Sequence, residues 1–285
     1  MFSKKVQVER YRECPHCRHV HDKNLDVCPK CGQVSDGPSF SNRFVNVVQL
    51  HWVKQLFFFL IGWAGLAIVG TLIYLFFGLY ARATFADPNT ISNYIKSDQV
   101  NMMVNILTYG LLLTGLLALL WKDIFVLLKS FTKLRVLTSG LSYGAIIMGA
   151  VITYNLIIIA TGYKISDNQN ETSLTNVMRI YPILSFLAFV IFGPIVEEIT
   201  YRLGLFSLLH RFNRPLAYIV TILVFGLIHM SFNADTIVNE LVNLPSYLIA
   251  GAILIIAYEK EGFGVSTIAH VANNMVSFIL TITGR

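Results

Sequence analysis

Charge is scarce in this sequence. Asp, Glu, Lys and Arg make up 13% of its 285 residues, about half of the roughly 25% usual for soluble domains. That shortfall excludes a protein whose whole surface meets water. Cysteine is missing after residue 31, since all four lie at Cys14, Cys17, Cys28 and Cys31. The remaining chain therefore has no disulfide framework. No internal repeat and no low-complexity tract is visible. No segment reads as a secretory signal, because the first long apolar run begins near Leu56, too far in and too long for such a core.

Hydrophobic residues are abundant instead, at 55% of the chain. Apolar runs near or above the roughly 18 residues of a spanning helix recur along it. The expected fold is an all-α polytopic membrane protein of about seven transmembrane helices, with a small zinc ribbon at the N-terminus. Spans are predicted at 55–80, 100–121, 138–162, 180–209, 216–233, 241–258 and 263–282. The organisation reads as a ribbon over 1–36, a linker over 37–54 and a transmembrane domain over 55–285. Basic residues are concentrated after the second span (Lys122, Lys129, Lys133, Arg135) and after the fourth (Arg202, Arg211, Arg214). The alternate loops carry Asp87, Asp98, Asp167, Glu171, Asp235 and Glu240. By the positive-inside rule the N-terminus is expected in the cytoplasm and the C-terminus outside, in a multi-pass plasma-membrane protein. The net charge of +6 belongs to this asymmetry, and no nucleic-acid partner is expected.

Cys14-Pro15-His16-Cys17 and Cys28-Pro29-Lys30-Cys31 form two CxxC knuckles ten residues apart. Four thiolates in paired turns suit tetrahedral zinc, so structural zinc on Cys14, Cys17, Cys28 and Cys31 is the expectation. The competing readings are two disulfides or a redox pair. Ligating thiolates imply a reducing compartment, which independently places this end in the cytosol. His16, His19 and His21 read as solvated. The ribbon reads as a docking module for a protein partner, or else as a folding anchor.

Ionisable groups inside spans cost at least roughly 2.5 kcal/mol each on insertion scales and call for an explanation. The fourth span carries Glu197, Glu198 and Arg202, the fifth His229, and the seventh His270 and Asn274. Glu198 and Arg202 are four apart and share a helix face, where they can pair. Glu197 points about 100° away, on the face of Tyr201, free to take a proton from water. His270 and Asn274 share a face by the same spacing. Pro194, one turn before the glutamates, removes a backbone hydrogen bond and bends the helix. Any one of these polar groups alone would read as interhelical glue. Six on three spans read as a catalytic constellation.

Glu197-Glu198-Ile199-Thr200-Tyr201-Arg202 resembles the EExxxR motif of the CAAX protease and bacteriocin-processing family (CPBP, or Abi). Phe225-Gly226-Leu227-Ile228-His229 resembles its FxxxH motif, and His270-Val271-Ala272-Asn273-Asn274 its HxxxN motif. The resemblance covers about 180–282, in the family's order and spacing. It implies an intramembrane endopeptidase whose site opens to the cytosol and whose substrate is a membrane-associated protein or peptide within the lipid bilayer. By that resemblance Glu197 activates the attacking water with help from His229. His270 and Asn274 stabilise the oxyanion, and Glu198 and Arg202 order the site.

Two histidines and a carboxylate could also hold a metal. The chain has no HExxH, and the reading favours no tightly bound catalytic metal. Two other functions compete with the peptidase. One is a non-catalytic membrane regulator or immunity scaffold that binds a partner through its ribbon. The other is a transporter using the same buried charges, which the lack of a repeated pair of broken helices disfavours.

Overall fold

The computed structural model describes residues 11–14, 19–22, 28–31, 47, 50–121, 123–166 and 168–284. Much of the predicted linker lies outside the described residues. Two antiparallel strands, β1 (Tyr11–Glu13) and β2 (Val20–Asp22), pair with Arg12 opposite His21. They bring Cys14 beside the turn that holds Cys28 and Cys31.

Among the described residues ten helices follow: α1 (Trp52–Thr84), α2 (Pro88–Ile95), α3 (Asp98–Leu119), α4 (Ile124–Phe131) and α5 (Leu134–Ala160). Then come α6 (Gln169–Ile180), a continuous α7 (Pro182–His210), α8 (Arg214–Leu227), α9 (Ile237–Glu261) and α10 (Phe263–Thr283). Six are long and apolar enough to cross a membrane, and α8 is a shorter apolar helix. The expectation of about seven spans therefore holds broadly. The predicted fifth span, 216–233, is corrected: its helix ends at Leu227. His229 and Met230 donate backbone bonds three residues back, a tightened last turn. The Ser231 N–H then leaves the helix for the Glu240 carboxylate at 2.9 Å.

Local chemistry sets the helix starts. Asp87, Ser97, Asn168 and Asn213 each accept a backbone N–H of the first turn through the side chain. Proline stands in the first turn of α2 and α8, where a missing N–H costs nothing. Gly262, at φ 98°, breaks α9 from α10, a left-handed backbone that other residues avoid.

The helices alternate up and down, and polar contacts define two ends. At one end Lys54 pairs with Asp123, Arg135 with Glu261 at 3.2 Å, and Arg214 with the buried Glu259 at 2.7 Å. Arg211 reaches the Leu50 carbonyl there, just before α1, so this is the end where the ribbon joins. At the other end Ser166 bonds Asn239, Gln169 N–H bonds Glu240, and Arg179 bonds the Thr281 carbonyl.

Helix α7 is the centre of the bundle. It alternates between α geometry and two π-helical stretches, Phe186–Phe192 and Ile199–Phe206, with the α turn Gly193–Glu198 between them. Inserted π turns often mark functional sites. Small residues let neighbours come close: Gly204 lies against the α1 backbone at Phe59, and Gly140 of α5 against Ile268 of α10.

Candidate active site

The α turn between the two π stretches carries the glutamates. Glu198 is fully buried, and Glu197 is 8% exposed. The α register keeps them on different faces. Glu198 turns to Arg202, with Nε to Oε2 at 3.3 Å and neither side chain accessible. The Arg202 guanidinium lies 4.8 Å from the Phe225 ring centre, a cation–π contact that strengthens away from water. The other Glu198 oxygen accepts from His270 Nδ1 at 3.0 Å. Glu198 thus ties Arg202 to His270, and it fixes the His270 ring by its δ nitrogen.

His270 Nε2 then faces Glu197 Oε2 at 3.6 Å. That glutamate oxygen is buried and has no hydrogen-bond partner among the described residues. The same is true of the Tyr201 hydroxyl. Both residues line a cavity of about 700 Å³ together with Tyr109, His229, His270 and Asn274.

His229 sits just past the end of α8 and is half-buried. Its Nδ1 lies 2.8 Å from the Phe225 carbonyl. A carbonyl only accepts, so Nδ1 carries the hydrogen and Nε2 is left available. Its ring stacks on Tyr247 of α9 at 4.6 Å, 15° from parallel. Phe225 stands between the two histidines, 5.0 Å from the ring of His229 and 5.8 Å from that of His270.

Asn274 donates from Nδ2 to the Phe189 carbonyl at 3.0 Å. In a π turn a carbonyl accepts from the N–H five residues on. Gly193 N–H goes to Ala188, and the residue five beyond Phe189 is Pro194, which has no N–H. Asn274 takes the place of that missing donor.

All six residues singled out from the sequence therefore meet in one region of the bundle, on α7, α10 and the end of α8. Sequence reasoning missed Tyr247 and Tyr109. It also placed His21 in solvent, whereas His21 is 5% exposed with Nδ1 3.3 Å from the His19 carbonyl; hairpin pairing folds it inward.

Metal chemistry divides between two places. The sulfurs of Cys14, Cys28 and Cys31 lie within 4.8 Å of one another, with Cys14 and Cys31 3.6 Å apart. Tetrahedral zinc with thiolates at about 2.3 Å sets sulfurs roughly 3.8 Å apart, so these three fit a metal. Cys17, the fourth expected ligand, and His16 lie outside the described residues. In the membrane, the ligand atoms of Glu197, His229 and His270 are not gathered within such a distance among the described residues. This arrangement does not fit a metal held by all three.

Fold and site define a multi-pass helical membrane protein with paired carboxylates facing histidines across an internal cavity. Residues 179–276 match the family model described as Type II CAAX prenyl endopeptidase Rce1-like. The resemblance carried by the three motifs is thereby shown for that segment, and it supports an intramembrane protease at the family level. An uncharacterized protein of Mycoplasma capricolum subsp. capricolum is 26% identical over 138 residues. The match takes in 45% of this chain and 39% of that protein, so it spans well under half of the relative's length. No solved structure matches the chain.

Proposed function

We propose that the chain is an intramembrane endopeptidase that hydrolyses peptide bonds by glutamate-activated water. The observation that carries this is the buried Glu197 Oε2, without a hydrogen-bond partner among the described residues and 3.6 Å from His270 Nε2 in a cavity. A carboxylate oxygen so placed is a seat for water. Glu197 takes a proton as the water oxygen attacks the scissile carbonyl carbon. His229, through its available Nε2, helps hold that water. The negative charge gathers on the former carbonyl oxygen. Asn274 has a second amide hydrogen to offer it, and His270 stands beside the same place, with Nε2 turned to Glu197. When the C–N bond breaks, the proton held by Glu197 passes to the leaving nitrogen. Glu198 and Arg202 act by holding His270.

No Lys or Arg is among the described residues lining the cavity. A substrate's C-terminal carboxylate would find no cationic partner there, which favours cleavage within a chain. The ribbon is read as a cytoplasmic zinc module that docks a protein partner, with the C-terminus outside the plasma membrane. The test is Glu197→Gln in the full chain. Cleavage of membrane peptides, followed by mass spectrometry of host membranes, is expected to stop at unchanged protein level and melting temperature. Full cleavage by that variant overturns the reading. A phenotype that survives it but disappears with Cys14→Ser and Cys28→Ser favours a scaffold.

A further inference from the structure

The cavity has a floor and a mouth, and they lie at opposite ends of the bundle. Glu197 is midway along α7, so depth alone does not decide from which side it is reached. The lining does. On α7 and α9, which run toward the ribbon end, it stops at Tyr201 and Leu254. On α8 and α10, which run away from that end, it starts at Phe225 and His270. On α1, which also runs away from that end, it takes in Trp63 to Ile68, so on none of these helices does the lining reach the ribbon end itself.

Below that level the bundle is filled. Leu203, Phe206, Ile255 and Tyr258 are fully buried and form one apolar cluster. Beneath them Glu259, itself fully buried, binds Arg214, His210 and the Tyr218 hydroxyl. Apolar packing capped by satisfied ionic contacts leaves no passage for a peptide. At the opposite end the lining runs out onto α6, where Asn170 and the exposed Glu171 edge the cavity.

We infer that substrate reaches Glu197 from the α6 end, remote from the ribbon. The basic residues favour the ribbon end, with Lys54, Lys133, Arg135, Arg211 and Arg214 described there, and this places that end in the cytoplasm. The substrate is then a peptide segment presented from the extracytoplasmic side or the outer half of the bilayer. The inference rests on the peptidase reading for the word substrate, and on charge asymmetry for the side. It departs from the cytosolic opening that the family resemblance implies.

Cysteine labelling tests it without depending on cleavage. Ser277→Cys and Leu174→Cys, both lining the mouth, and Phe212→Cys, exposed at the ribbon end, are each made in the full chain with its native ribbon. Intact cells are treated with a membrane-impermeant maleimide, and the parent chain is the blank. The two mouth variants are expected to label as fully in intact as in permeabilised cells, and Phe212→Cys only after permeabilisation. The opposite pattern, or mouth cysteines that label in neither condition, overturns the inference. Because the readout is accessibility, Glu197→Gln can abolish cleavage while this result stands, or the reverse.

Discussion

Asn274 donates to the Phe189 carbonyl at the position where Pro194 withholds the backbone N–H of a π turn. A proline on one helix thereby determines where an amide on another must point. Pro194→Ala restores the N–H and gives Phe189 a partner within its own helix. Removing a proline from a helix interior relieves a local cost of up to about 3 kcal/mol. The variant is expected to melt higher, yet to cleave more slowly, because Asn274 is released from its fixed orientation. A thermal melt in detergent beside a cleavage assay measures both. Unchanged cleavage would remove Asn274 orientation from the mechanism.

Glu198 holds both Arg202 and His270, so its loss has two separable effects. Glu198→Gln leaves a fully buried guanidinium without a carboxylate, a change that costs roughly 3–5 kcal/mol in buried pairs. It also replaces the charged acceptor that fixes His270 Nδ1 with a neutral amide, whose oxygen holds that ring more weakly. Adding Arg202→Met to Glu198→Gln takes away the stranded charge. The double variant is expected to recover most of the melting temperature and none of the activity. Recovery of both would mean that Glu198 and Arg202 only stabilise the fold.

Much of this site was legible because its spacing is local. Glu198 and Arg202 lie one turn apart, and so do His270 and Asn274, so periodicity alone predicted shared faces. The predicted fourth span, 180–209, nearly coincides with Pro182–His210. What periodicity could not reveal depends on contacts between helices. The first π stretch of α7 is supported by a donor from α10, some eighty residues away. His229 leaves its helix because Glu240 of α9 takes the next N–H but one. The amphipathic helix α6 was readable in principle: Asn168 caps it with Glu171 three residues on, a recognised start signal.

The ribbon gives a prediction independent of proteolysis. Three cysteine sulfurs already stand at metal-ligand spacing, and small ribbons fold with their metal. Purified full-length protein is expected to carry one zinc per chain by elemental analysis. Cys28→Ser is expected to lower that content sharply while the membrane helices keep their far-ultraviolet signal. An equal zinc content in parent and Cys28→Ser would move the metal elsewhere.

Tyr247 separates positioning from mere packing. Its ring stacks on His229 at 4.6 Å, and its hydroxyl accepts from Asn168 at 3.0 Å while donating to Glu171 at 3.1 Å. The stack and the Phe225 carbonyl hold the two faces of the problem: one sets ring tilt, the other sets which nitrogen bears hydrogen. Tyr247→Phe keeps the stacked ring and loses only the polar tether, so its cleavage rate is expected to stay within a few-fold of the parent. Tyr247→Ala removes the ring, and a misplacement near 1 Å at a catalytic group can cost about 100-fold. The loss is expected in kcat and not in KM, since the ring touches the histidine that holds the water. A structural role alone would lower protein yield and melting temperature in both variants and leave the kcat of the folded fraction unchanged. That pattern would take Tyr247 out of the site.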